Sequence, residues 1–210
     1  MFSAGVNIPP PQGWKAKIQT PPNFEEFISI ALTCYNRSML QINFYPESNN
    51  PNFDKAAREY SSIWRNEGNK IQSVIEKISG LKLKEKVINA VTCDDVSYSI
   101  PLKLQSNISI ENKKGVLIHE LCHRIIVGNN VRFDFSYEDK NWNLEVHKQV
   151  DLILYDIWVK LYDEEFARKQ IDDEVNLWTG KGISPYKIAW DFTLSMTKEQ
   201  RQKEFKKYLQ

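Results

Sequence analysis

The sequence predicts an α+β fold in one main domain, on three observations. Apolar residues recur at helical spacing through several long stretches. Short runs rich in β-branched and aromatic residues stand between the early and the late helical stretches. A length of 210 residues with 41% hydrophobic and 26% charged content suits a single well-filled core.

Residues 1–22 carry five prolines, Pro9 to Pro11 in a row and then Pro21 and Pro22, which predicts an extended arm ahead of a domain spanning 23–210. From Asn23, the positions Phe24, Phe27, Ile28, Ala31, Leu32 and Tyr35 predict a helix with Asn23 as N-cap and Glu25 and Glu26 in its first turn. The run MLQINFYP then alternates as a strand does. Between Phe53 and Ile78, the residues Ala57, Tyr60, Trp64, Ile71, Val74, Ile75 and Ile78 share one broad helical face, with an interruption near Gly68 and a stop at Gly80.

Next, KVINAVTC and VSYSIPLKL read as two strands joined by a tight acidic turn at Asp94-Asp95, and Pro101 predicts that the second is an edge strand. Three further helices are expected at 114–127, 143–168 and 185–208, the first stopped by Gly128 and Asn129.

Composition removes several function classes. With 28 basic and 27 acidic residues the formal charge is +1, too little to hold a nucleic-acid backbone or an anionic membrane surface without a local patch. The mixed-charge run KEQRQKEFKKYL reads as a solvated helix face. No apolar run reaches the length needed to cross a bilayer, and no basic-then-apolar leader opens the chain. Cys34, Cys93 and Cys122 are odd in number and lack a CxxC, which favours a reducing, cytoplasmic setting over a disulfide framework.

The chemistry concentrates in KKGVLIHELCHRIIVGNN. His119 and His123 stand one helical turn apart and about 40° round the axis, so their rings can converge on one ion. Glu120 lies on the neighbouring strip, where it can take a proton from water activated by that ion without being a ligand. The competing reading is a buried helix whose histidines are satisfied by hydrogen bonds, since Val116, Leu117, Ile118, Leu121, Ile125 and Ile126 set this helix deep. Cys122 points away from the shared face and reads as core.

A catalytic zinc takes three protein ligands and keeps one position open. His147 is the one histidine left in the chain, and it lies on a seam with Leu144, Asp151, Leu154, Trp158 and Leu161 that points inward. An aspartate buried one turn after a histidine is explained if it accepts a hydrogen bond from a ligand ring. Pairing with an Arg or Tyr is the alternative. Glu145 is the rival third ligand, although it sits off the seam.

HExxH on one helix, a third candidate ligand on the next and an aspartate four residues beyond resemble the gluzincin branch of the zincin metallopeptidases. The resemblance covers about residues 87–162. It implies a zincin-like fold in which the motif helix packs beside a second ligand-bearing helix, with one Zn2+ per chain held by His119, His123 and His147. It further implies Glu120 as general base, Asp151 as support for the ring of His119, and an edge strand, here VSYSIPLKL, that pairs with an extended peptide or protein substrate. The third ligand in that family is usually glutamate, so His147 is a departure.

For a group that stabilises developing negative charge, Tyr137 holds a position like that of a tyrosine in the family, and Tyr155 and Arg124 are other options. The expected function is a zinc-dependent peptidase, with hydrolysis of another amide as a variant. The alternative is a binding or regulatory protein in which zinc staples the two helices.

Overall fold

A proline following an asparagine begins the helix that organises the sheet. Pro51 occupies the first turn, where no N–H is needed, and the Asn50 side chain accepts from the Asn52 N–H, starting α1 (Pro51–Ser79). A computed structural model describes residues 39–131, 141–177, 180 and 182–209. The proline-rich arm and the helix expected from Asn23 lie outside the described residues; Met39–Gln210 forms one compact unit.

α1 runs unbroken through Gly68, where an interruption was expected. A Cβ at position 68 would stand 2.8 Å from the indole of Trp64, so the glycine makes room for that ring to lie along the helix. The Trp64 Nε1 donates to the Leu40 carbonyl at 3.1 Å, which ties α1 to the chain entering the sheet. Gly80, at a φ of 72°, then ends the helix in a conformation that L side chains resist.

Three strands, β1 (Gln41–Pro46), β2 (Val87–Cys93) and β3 (Leu102–Gln105), form a sheet in that order. Both pairs are parallel, in a register that sets Ile42 beside Ile88 and Ala90 beside Leu102. α1 is the crossover between β1 and β2, as a parallel pair requires. The tight acidic turn expected after β2 is therefore corrected: residues 94–101 run back along the sheet before β3 begins. Val96, Tyr98 and Ile100 alternate as a strand would, yet all three are exposed, so their alternation marks no buried face.

The edge of β3 is also not open as expected. Lys103 exchanges both backbone hydrogen bonds with Tyr98, at 3.0 and 2.9 Å. The Gln105 N–H donates to Ser97 Oγ, and its carbonyl accepts from the Tyr60 hydroxyl, both at 3.0 Å. The outward backbone groups of Lys103 and Gln105 are thus satisfied within the chain.

The helices that follow are α2 (Ile110–Gly128), α3 (Trp142–Leu161), α4 (Glu164–Asn176), α5 (Pro185–Leu194) and α6 (Lys198–Lys207). Two of the long helices expected from periodicity are each divided. Asp163 accepts from the Phe166 N–H at 2.8 Å and starts α4, while Thr197 and Gln200 form a capping box that starts α6. In both places a side-chain acceptor gives the backbone an alternative to continuing the preceding helix. α2 ends as expected near Gly128, and the left-handed residue is Asn130, at a φ of 54°.

Leu117, Leu121 and Ile125 of α2 and Leu154, Ile157 and Trp158 of α3 are buried together with Tyr60 and Ile71 of α1. α2 comes so close to α4 that a Cβ on Gly115 would lie 1.9 Å from the Gln170 side chain. A buried Asp156–Arg201 pair at 2.7 Å ties α3 to α6. No helix among the described residues is long and apolar enough to cross a membrane.

Candidate metal centre

The packing of α2 on α3 brings the three histidines together. Nε2 of His119 and Nε2 of His123 are 2.9 Å apart. The His147 ring stands nearly perpendicular to both, its centroid 5.4 Å from that of His119 and 5.1 Å from that of His123. One candidate ligand nitrogen from each ring lies within 4.8 Å of the others. His147 Nδ1 is held by the Asn143 carbonyl, one turn earlier on α3, at 2.7 Å. That bond fixes the proton on Nδ1 and leaves Nε2 with its lone pair free.

Burial sets the charge of these groups. It pulls the imidazole of His119 down to about 4, and that of His147 likewise to about 4. His123 is held well below the usual range, first by burial and then by its two neighbours. All three rings are neutral at pH 7, the form that binds metal. Around them lie carboxyls that burial pushes the other way. Glu120 is raised to about 8 by burial and then by the charge of Glu174, with Arg124 opposing. Asp151 and Glu174 are also raised, each chiefly by burial.

Comparison with protein-family models, with curated proteins and with solved structures finds no match to this chain. The site must therefore be read from its own atoms.

Those atoms suit a divalent cation. Three neutral rings crowd their nitrogens together, and burial disfavours ionisation of Glu120, Asp151 and Glu174, with the charge of Glu174 adding to the effect on the other two. A dication among the rings would accept the ring lone pairs and favour the carboxylates. Nitrogens bound to a tetrahedral zinc stand about 3.3 Å apart, given bonds of about 2.0–2.1 Å. The 2.9 Å separation of His119 and His123 needs only a small opening. With 14% of its side chain exposed, His119 keeps the cluster reachable from solvent.

The supporting groups differ from those expected. Asp151 is fully buried, yet among the described residues neither of its oxygens has a hydrogen-bond partner, so the bond from His119 is not made. Glu174 of α4 stands there instead, with Oε1 3.4 Å from His119 Nδ1 and 3.9 Å from His147 Nε2. Its other oxygen accepts from Trp190 Nε1 of α5 at 2.8 Å. Tyr186, also on α5, packs edge-on against His147 at 4.6 Å between centroids, and its hydroxyl bonds the Asn143 side chain.

Of the remaining candidates, Glu145 is 39% exposed and paired with Lys148, which sets it apart from the rings. Arg124 is engaged by Glu85 and by the Ser99 carbonyl. Tyr155 lies beside Glu164 and Arg201. Cys122 is buried core, as expected. Tyr137 lies outside the described residues. Sequence reasoning missed Glu174 and Tyr186. Glu174 is one carboxylate in the charged run KQIDDEVN, with no motif to mark it, and only the folding of α4 over α2 brings it to the site.

Proposed function

We propose that the chain is a zinc-dependent hydrolase of zincin type, acting on peptide bonds. The observation that carries this reading is the convergence of His119, His123 and His147 within 4.8 Å on two packed helices, with the buried carboxyl of Glu120 between the paired histidines in sequence. His119, His123 and His147 would hold the ion, which when bound acts as a Lewis acid toward a carbonyl and lowers the pKa of water.

The chain's own groups supply the rest. Glu120, as the carboxylate that a bound dication would favour, would accept a proton from the attacking water and deliver it to the leaving nitrogen. Tyr186, whose ring packs on that of His147, would be the group whose hydroxyl could donate to a developing oxyanion. The site's near-burial limits competing solvent.

One observation favours a second reading, a zinc-stapled binding or regulatory protein. Ser97 and Tyr98 already occupy the β3 edge on which an extended substrate was expected to pair. Incubation of the zinc-loaded protein with a peptide library distinguishes the two. Cleavage by the parent that is lost in zinc-loaded Glu120→Gln supports hydrolysis through this carboxylate; equal cleavage by both would contradict the role given to Glu120, and none by either favours the staple.

A further inference from the structure

The ring of His119 can serve a metal through Nε2 only if its other nitrogen keeps the proton, and a buried N–H needs an acceptor. Among the described residues a carboxylate oxygen within ion-pair distance of it is Glu174 Oε1, 3.4 Å from Nδ1, which a small rotation of either group would bring into hydrogen-bond geometry. The Asp151 oxygens, which the helix pair alone would offer, have no hydrogen-bond partner among the described residues.

Glu174 is itself held. Its Oε2 accepts the Trp190 indole N–H at 2.8 Å, and the Trp190 ring stacks on Trp158 of α3 at 5.7 Å between centroids. Trp190 is 1% exposed, so the orientation of this carboxylate is set by core packing and not by solvent. The chain of contact runs His119, Glu174, Trp190, Trp158, and it returns to the helix that carries His147.

We propose that Glu174 is the positioning residue for His119, and that through Trp190 the affinity of the site for its metal depends on the docking of α5. The proposal rests on the metal site put forward above, but not on hydrolysis. It assigns to two helices outside the HExxH pair a part in holding the ion. A carboxylate in this relation to a ligand histidine is worth roughly 10 to 100-fold in metal affinity.

The test is a zinc-competition titration on the parent, Glu174→Gln, Trp190→Phe and the double variant, with the cobalt-substituted absorption spectrum recorded for each. Glu174→Gln should weaken zinc binding by about 10-fold or more. Trp190→Phe, which keeps a ring against Trp158 but removes the indole N–H, should weaken it by a smaller factor. The double variant should be no weaker than Glu174→Gln, because the tryptophan acts only through the carboxylate. The cobalt bands should keep their positions, since the ligand set is unchanged. A purely structural role would lower the melting temperature of the metal-free variants and leave affinity alone. Unchanged affinity in Glu174→Gln, or multiplicative losses in the double variant, overturns the proposal. Shifted cobalt bands in Glu174→Gln also overturn it, by making Glu174 a ligand. If the parent binds no zinc, the metal reading itself fails and takes this proposal with it, an outcome separate from the other three.

Discussion

Glu120 and Asp151, one on each ligand helix, can each be tested by a change that keeps the shape of the side chain. Glu120→Gln retains volume and polarity next to His119, so zinc content and fold should persist while hydrolysis falls by about 10² to 10⁴-fold, the range for a positioned proton-transfer group. Peptide cleavage normalised to zinc content measures it. Asp151 calls for the opposite expectation. Burial already holds its carboxyl well above the carboxylate range, and its oxygens lack hydrogen-bond partners among the described residues. Replacing a buried neutral acid by an amide removes no hydrogen bond, so Asp151→Asn should leave the metal-free protein at least as stable in a denaturant melt. A loss of more than about 1 kcal/mol there would mean that the carboxyl makes a hydrogen bond on which the fold depends. Its zinc affinity should fall less than that of Glu174→Gln.

At the scale of elements, Gly68 carries a sharp expectation. Alanine is the better helix former by about 1 kcal/mol, but its methyl group would meet rigid ring atoms of Trp64 at 2.8 and 2.9 Å. The ring cannot swing away without breaking its bond to the Leu40 carbonyl. Gly68→Ala should therefore destabilise by about 1–3 kcal/mol, read from urea denaturation, whereas helix propensity alone predicts a gain. The same glycine shows how far the elements were legible in the sequence. Its apparent break in periodicity came from a side chain lying over it, which no spacing rule reveals. Periodicity located α1, α2 and the start of α3 because each buries a stripe against the core. It ran past Asp163 and Thr197, although both are capping residues, because the apolar pattern continues on either side of them. The His119–His123 pair was legible because a helix fixes i and i+4 locally, and His147 because its seam faces inward. Glu174 and Tyr186 were not, since their positions depend on how α4 and α5 fold back, which is a long-range fact. The direction of β3 was missed for a related reason: alternation gives a strand but not the sense of its pairing.

For the whole molecule, the buried acids and rings give metal-free stability a definite pH dependence. Above about pH 7.5, a full unit past the ordinary imidazole value, the histidines are neutral folded or unfolded, so they drop out. Glu120 keeps its proton up to about 8 when folded but loses it near 4.3 when unfolded. The folded state then binds more protons, so stability falls as pH rises from about 7.5 through 8, by on the order of 1 kcal/mol per pH unit. Glu174 and Asp151, also raised, act in the same direction. Thermal melts of the metal-free protein should show the decline, about 2–4 °C for each kcal/mol in a chain of this size. Zinc should reduce it, because the ion stabilises the carboxylates that high pH creates. The central claim, that three histidines from two helices make one metal site, is tested most directly by zinc content after dialysis against a weak chelator, for the parent and for His147→Ala. One zinc per parent chain and a large loss in His147→Ala is the expected result; a parent without zinc, or a His147→Ala protein that holds it equally well, would contradict the site.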